Sequence, residues 1–174
     1  MKNKFLLLIA FTFLASASVS AQQIKIAFVN PDSVLLSLPE YKTQVKILES
    51  YGKQLRTQIT TKQTTLQSKA QEYQQQQPTL TPQQNQDNML ELQKMELELQ
   101  QFAQQAQQNL GKKEQDLMEP LYEKIQEGID ATAKELGYDL VVQRQAFIYA
   151  KPEYDITTAV IKQLGGTPGA GSAE

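Results

Sequence analysis

The 174-residue chain contains no cysteine, no histidine and no tryptophan. Without cysteine there is no disulfide framework and no thiol nucleophile. Without histidine the commonest general base and most zinc sites are also gone. No glycine-rich loop followed by Lys-Ser/Thr occurs, so a nucleotide-driven mechanism has no phosphate cradle. The carboxylates that remain, such as Glu96/Glu98 and Asp87/Glu91, fall on polar helix faces, where solvated charge is their ordinary role. The chain therefore reads as a non-enzyme, with no catalytic residue, metal or cofactor expected. A basic excess is lacking as well: 17 Lys and Arg against 19 Asp and Glu leave a formal charge of −2. Nucleic-acid binding rests on phosphate neutralisation, so no nucleic-acid partner is expected.

No apolar run is long enough to span a membrane. The most apolar stretch, Phe5–Ala15, follows a basic start (Lys2, Lys4) and precedes the small-residue site Val19-Ser20-Ala21. That order is a secretory signal peptide, with cleavage expected after Ala21 and Ala17 as the weaker site. No cysteine follows the apolar run, which excludes lipoprotein export. Cleavage leaves 153 residues, and loss of Lys2 and Lys4 takes the formal charge from −2 to −4. An exported chain without disulfides depends on helix pairing and on oligomerisation for its stability.

Most of the exported chain carries helical periodicity. Ile24–Asn30 is a short apolar run with the composition of a buried strand, and Asn30-Pro31 predicts a capped short helix over Asp32–Ser37. Ser37-Leu38-Pro39-Glu40 predicts a capping box at the start of a long helix. Along that helix Tyr41, Val45, Leu48, Leu55, Ile59, Leu66 and Tyr73 recur in alternating steps of four and three. Gly52, Lys62 and Lys69 fill the remaining seam positions. This is a heptad seam, which requires a helical partner. Run to Gln77, the helix would be about 55–60 Å long.

Pro78 and Pro82 reverse the chain, and Thr81-Pro82-Gln83-Gln84 predicts a second capping box. The returning helix carries Met89, Leu92, Met95, Leu99, Phe102 and Ala106. Beyond Leu110 the spacing drifts toward four, through Leu117, Leu121, Ile125 and Ile129 to Ala133 and Leu136. That drift weakens the supercoil near the base. Pro120 predicts a bend where the Asp116 carbonyl loses its partner, and Gly137 predicts a left-handed helix end. Tyr138–Val142 and Ala146–Ala150 read as a β-hairpin joined by Gln143-Arg144-Gln145. Asp155 then caps a last helix, Ile156–Leu164.

The fold class is α+β: a long antiparallel coiled-coil hairpin projecting from a small β platform. The division expected is 1–21 signal peptide, 22–38 and 137–164 β-rich body, 39–136 arm with its tip near 74–82, and 165–174 disordered tail. So small a sheet is marginal in one subunit and leaves open edges, so several subunits are expected to pool their strands. Ile26, Phe28, Leu140, Val142, Phe147 and Tyr149 are the candidate oligomerisation residues. Of the 27 glutamines, 22 lie between Gln44 and Gln126, mostly off the seam. They make either a solvated face or a neutral surface open to unfolded polypeptide, and composition does not separate the two. Tyr73, Met95 and Phe102 belong to the seam by spacing. Met89, Met118 and Tyr122 are left as candidates for facing a cargo, since methionine adapts to varied apolar partners.

The ends of the chain carry a family resemblance. Lys25-Ile26-Ala27-Phe28-Val29-Asn30, followed by the helix start Pro39-Glu40-Tyr41, resembles the N-terminus of the Skp/OmpH family. Gly137-Tyr138-Asp139-Leu140-Val141-Val142, Ala146-Phe147-Ile148-Tyr149-Ala150 and Asp155-Ile156-Thr157 resemble its closing hairpin and final helix. The resemblance implies a periplasmic, ATP-independent holdase chaperone. Such a protein is a homotrimer with three helical tentacles that keeps unfolded outer-membrane β-barrel proteins soluble before insertion. One feature departs from the family: no Lys or Arg occurs between Lys69 and Lys94, so the tip is neutral where better-known members are basic. That neutrality argues against contact with an anionic membrane surface. A rival reading is a structural envelope spacer or adaptor whose hairpin docks on a folded partner.

Overall fold

The computed structural model describes residues 24–169. The expected signal peptide and cleavage site lie outside the described residues. Strand β1 (Ile26–Val29) leads through Asn30 into helix α1 (Pro31–Ser37). The Asn30 side chain accepts the Ser33 N–H at 3.2 Å and Pro31 takes the first helical position, so the cap and helix are as the sequence predicts. One residue, Leu38, separates α1 from helix α2 (Pro39–Gln76). Pro39 forces its predecessor out of the helical region, and Leu38 is extended (φ −76°, ψ 129°) and fully buried. The capping box expected at Ser37–Glu40 does not form. Ser37 is the last residue of α1, and its hydroxyl donates to the Val34 carbonyl at 2.6 Å. Helix α2 begins without a side-chain cap.

A 3-10 turn, Gln77–Thr79, reverses the chain into helix α3 (Pro82–Leu136). Here the capping box is complete: the Thr81 hydroxyl accepts the Gln84 N–H, and the Gln84 side chain accepts the Thr81 N–H. The 38 residues of α2 give about 57 Å and the 55 of α3 about 82 Å. Helix α3 runs through Pro120 without interruption. It ends at Gly137 (φ 71°), where the Tyr138 N–H reaches Ala133 O and the Gly137 N–H reaches Lys134 O. This is the left-handed closure that glycine permits without strain.

The seam is legible residue by residue. Tyr41, Val45, Leu48, Ile59, Leu66 and Tyr73 are half-buried, and Gly52 and Leu55 are buried. Leu92, Met95, Leu99 and Phe102 are half-buried on the facing helix, and Ala106 is buried. The two seam lysines lay their heads over rings: Lys62 Nζ is 5.5 Å from the Phe102 centroid and Lys69 Nζ is 5.1 Å from that of Tyr73. Their stems follow the apolar seam while the charge stays wet.

Strand β2 (Leu140–Gln143) pairs in parallel with β1, Ile26 against Leu140 through Val29 against Gln143. The β-hairpin expected after it is absent. Arg144–Ala146 forms a 3-10 turn, and Phe147–Ala150 joins no ladder among the described residues. The connecting Gln-Arg-Gln has no residue at positive φ, which a tight hairpin needs. Instead Arg144 folds back, donating to the Phe147 carbonyl at 3.0 Å and resting 5.3 Å from the centroid of the Phe28 ring.

A third 3-10 turn, Pro152–Tyr154, precedes helix α4 (Thr157–Gln163). Asp155 accepts the Thr157 N–H at 2.8 Å, while the Ile156 N–H is bonded to the Phe28 carbonyl. The core gathers Ala27, Val29, Val34, Leu35, Leu38, Leu121, Ile125, Ile156, Val160 and Ile161. Thus the last turns of α3 belong to the body's packing. At Gly128 the Leu164 side chain comes within 2.7 Å of where a Cβ would stand, so α4 closes on α3 through that gap. The start of the expected disordered tail is ordered: the Gly166 N–H bonds Ile161 O and the Thr167 N–H bonds Ser37 O.

Candidate interaction surfaces

Two surfaces carry apolar groups that the fold does not use. The first is on the body. Among the proposed oligomerisation residues, Phe28 is buried, Val142 and Phe147 are half-buried, and Ile26, Leu140 and Tyr149 are exposed. Ile148, at 105 % relative exposure, stands wholly in solvent. Ile26, Phe28, Phe147, Tyr149 and Tyr154 line an open hollow of about 750 Å³ beside β1. The Phe28 and Phe147 rings lie 6.1 Å apart and tilted by 55°, which joins the strand to this loop. Among the described residues, β2 pairs on one side alone, against β1. An unpaired edge next to exposed Leu140 and Ile148 is a surface suited to strand addition.

The second surface is on the outer arm. Met89 (62 % exposed) stands in solvent there, and Tyr122 (55 %) does so nearer the base. Met118 does not. It is half-buried against the body core beside Leu121 and Ile125. Where the spacing drifts toward four, the buried stripe moves around the helix and takes Met118 with it.

Leu90 (56 % exposed) and Leu97 (54 %) were missed by the periodicity argument. They are seven residues apart on the side of α3 opposite its seam, about 10.5 Å along the axis. Gln86, Gln93, Gln101 and Gln104 continue the same face, all exposed and none charged. An outward leucine repeat among glutamines was the available signal. It is hidden when leucines are assigned to seams by default.

Electrostatics tie the two helices at both ends. Near the base Lys124 donates to Glu40, and this bond first, with a backbone N–H second, holds the Glu40 carboxyl below its usual range. Toward the tip the Tyr73 hydroxyl donates to Glu91, and that bond is the main reason the Tyr73 phenol is shifted up. The neighbouring Lys69 is shifted up by its Glu72 ion pair. These are partly or fully exposed contacts, so they set register more than they add stability. Among the described residues no cluster of acidic side chains is arranged to hold a metal, and no helix is long and apolar enough to cross a membrane.

The chain matches the family model for outer membrane protein (OmpH-like) over residues 25–164. It is 30% identical over 149 residues to Chaperone protein Skp of Yersinia enterocolitica, covering 86% of this chain and 91% of that protein. It is also 30% identical over 163 residues to Chaperone protein Skp of Photorhabdus laumondii, covering 93% and 99%. A solved OmpH-like structure from Caulobacter crescentus superimposes with a TM-score of 0.75 at 19% identity, covering 83% of this chain and 86% of that one. The first two likenesses are to chaperones by name, and the third is a likeness of fold.

Proposed function

The chain belongs to the OmpH-like family of outer membrane chaperones, whose members are not enzymes, and we propose that it is a periplasmic holdase. It binds unfolded outer-membrane β-barrel proteins and keeps them from aggregating, without ATP. The observation that carries this reading is the outward leucine repeat of α3 among its glutamines. Leu90 and Leu97, flanked by Met89, are apolar groups that neither the seam nor the body uses. The glutamines around them can each donate and accept hydrogen bonds. An unfolded chain offers apolar side chains and unpaired backbone N–H and C=O groups, and such a surface meets both. Each contact is weak and exchangeable, so retention comes from several arms acting together.

We take the functional unit as a homotrimer built through 22–38 and 137–164, with 39–136 as its arm. The free edge of β2 and the exposed Ile26, Leu140, Ile148 and Tyr149 support pooling of strands between subunits. The neutral tip supports cargo holding without attachment to an anionic membrane.

The test is direct. Denatured outer-membrane β-barrel protein is diluted into buffer with the mature chain and no nucleotide, and light scattering is followed while the mass of the chain is measured. A trimer that suppresses scattering near stoichiometry supports the reading. A monomer, or scattering unchanged at that ratio, counts against it. Tight binding to one folded protein with indifference to unfolded chains would favour an adaptor.

A further inference from the structure

The two helices of the arm divide the charge between them. Helix α2 carries six Lys and Arg against three Asp and Glu, while α3 carries five against eleven. In the half of the arm next to the body, Lys42, Lys46, Lys53 and Arg56 are all exposed. Their spacing puts them on the edge of α2 turned away from the seam residues Tyr41, Leu48 and Leu55. Glu49 is the one acid on that edge. On α3, Asp116, Glu119, Glu123 and Glu127 recur in steps of three and four, exposed and opposite the buried Leu121 and Ile125. No Lys or Arg lies between Lys113 and Lys124.

Among the described residues, none of the charged groups on these two edges has an ion-pair partner. The Glu40–Lys124 contact sets the antiparallel register, and the Tyr73–Glu91 contact keeps it. Counted from Glu40 and Lys124, Lys42 stands within one residue of the height of Glu123, and Lys46 within one of Glu119. The hairpin is thus positive along one edge and negative along the other at the same height. Within one copy the two edges cannot meet, because the seam lies between them.

We propose that the negative edge of one arm lies against the positive edge of the arm of the next copy. The partner is a second copy of this chain, and the inference rests on the homotrimer reading above. A contact between two different edges is head-to-tail, and it closes into a ring when rotation relates the copies. Like edges repel, so charge fixes the order in which α2 of one arm adjoins α3 of the next. Each exposed pair adds little and is screened by salt, so the contact aligns the arms more than it stabilises the fold.

Zero-length carbodiimide cross-linking of the full mature protein tests this, because it joins only a carboxylate and an amine in contact. Assemblies are mixed from light and heavy-isotope chains, so a linked peptide pair of mixed isotope comes from two copies. At low salt, mixed-isotope links Lys42–Glu123, Lys46–Glu119 and Lys53–Asp116 are expected, falling about fivefold at about 1 M salt. In the variant Lys42→Glu, Lys46→Glu the remaining Lys53–Asp116 link should fall as far. Adding Glu119→Lys, Glu123→Lys should restore it. A trimer in which these residues link within one copy alone would overturn the proposal. So would links between copies that ignore both salt and the charge reversal. A monomer by light scattering removes the trimer reading and this contact together, whereas a trimer without the links removes this contact only.

Discussion

The body and the outer arm are built on opposite terms. In the body ten apolar side chains from three helices, a strand and the residues flanking them converge on one core, and Val34, Leu38 and Val160 are wholly buried. Along the outer arm, beyond Leu55 and Ala106, no described seam residue is fully buried, and lysines take two of the positions. The body gathers most of its apolar residues into that core and leaves Ile26, Leu140, Ile148 and Tyr149 outward beside the sheet. The arm keeps Met89, Leu90 and Leu97 outward. Stability therefore concentrates in the body, while the outer arm carries apolar groups outward with no core beneath them.

The hardest test of that contrast is a matched pair of truncations. Leu38→Ala is expected to destabilise the chain by about 2–5 kcal/mol, because a fully buried leucine leaves a cavity among side chains from several elements. Leu66→Ala, at a half-buried seam position, should cost about 1 kcal/mol. Chemical denaturation of both variants checks this, and equal losses would break the distinction. A smaller effect is expected at the helix end. Gly137→Ala places a Cβ at φ 71° and should cost about 1 kcal/mol in the same assay.

The ion pair at the junction should matter least. Lys124 lowers the Glu40 pKa in the folded state, so the pair's stabilisation is present above the unfolded carboxyl value of 4.5. It is lost as pH falls through the lower folded value. Both side chains are more than a third exposed, so the whole contribution should stay below about 1 kcal/mol. Glu40→Gln should remove that acid-side dependence while leaving stability at pH 7 nearly unchanged.

What could be read in the sequence follows the same division. The arm was legible because its determinants are local: heptad spacing, the Thr81–Gln84 box and Gly137 each act within a few residues. The body's errors arose where distant groups compete. Ser37 had two helices to serve, and α1 took its hydroxyl. The segment after Gln143 had strand composition, but no residue at positive φ to turn it back on β2, whose paired side belongs to a strand more than a hundred residues earlier. Met118 turned inward because the buried stripe moves around α3 where the helix meets the body, a contact no spacing rule contains. Leu90 and Leu97 were visible but were credited to no surface, because they stand on the side of α3 away from the seam that the spacing describes.

The central claim is that the arm's outward apolar residues hold cargo while the body holds the fold. It is tested by the triple variant Met89→Ser, Leu90→Ser, Leu97→Ser in the scattering assay with denatured outer-membrane protein. The parent chain should suppress aggregation near stoichiometry. The variant should melt within a few degrees of the parent, keep its helicity and need roughly tenfold more protein for the same suppression. A variant that suppresses aggregation as well as the parent would contradict the account.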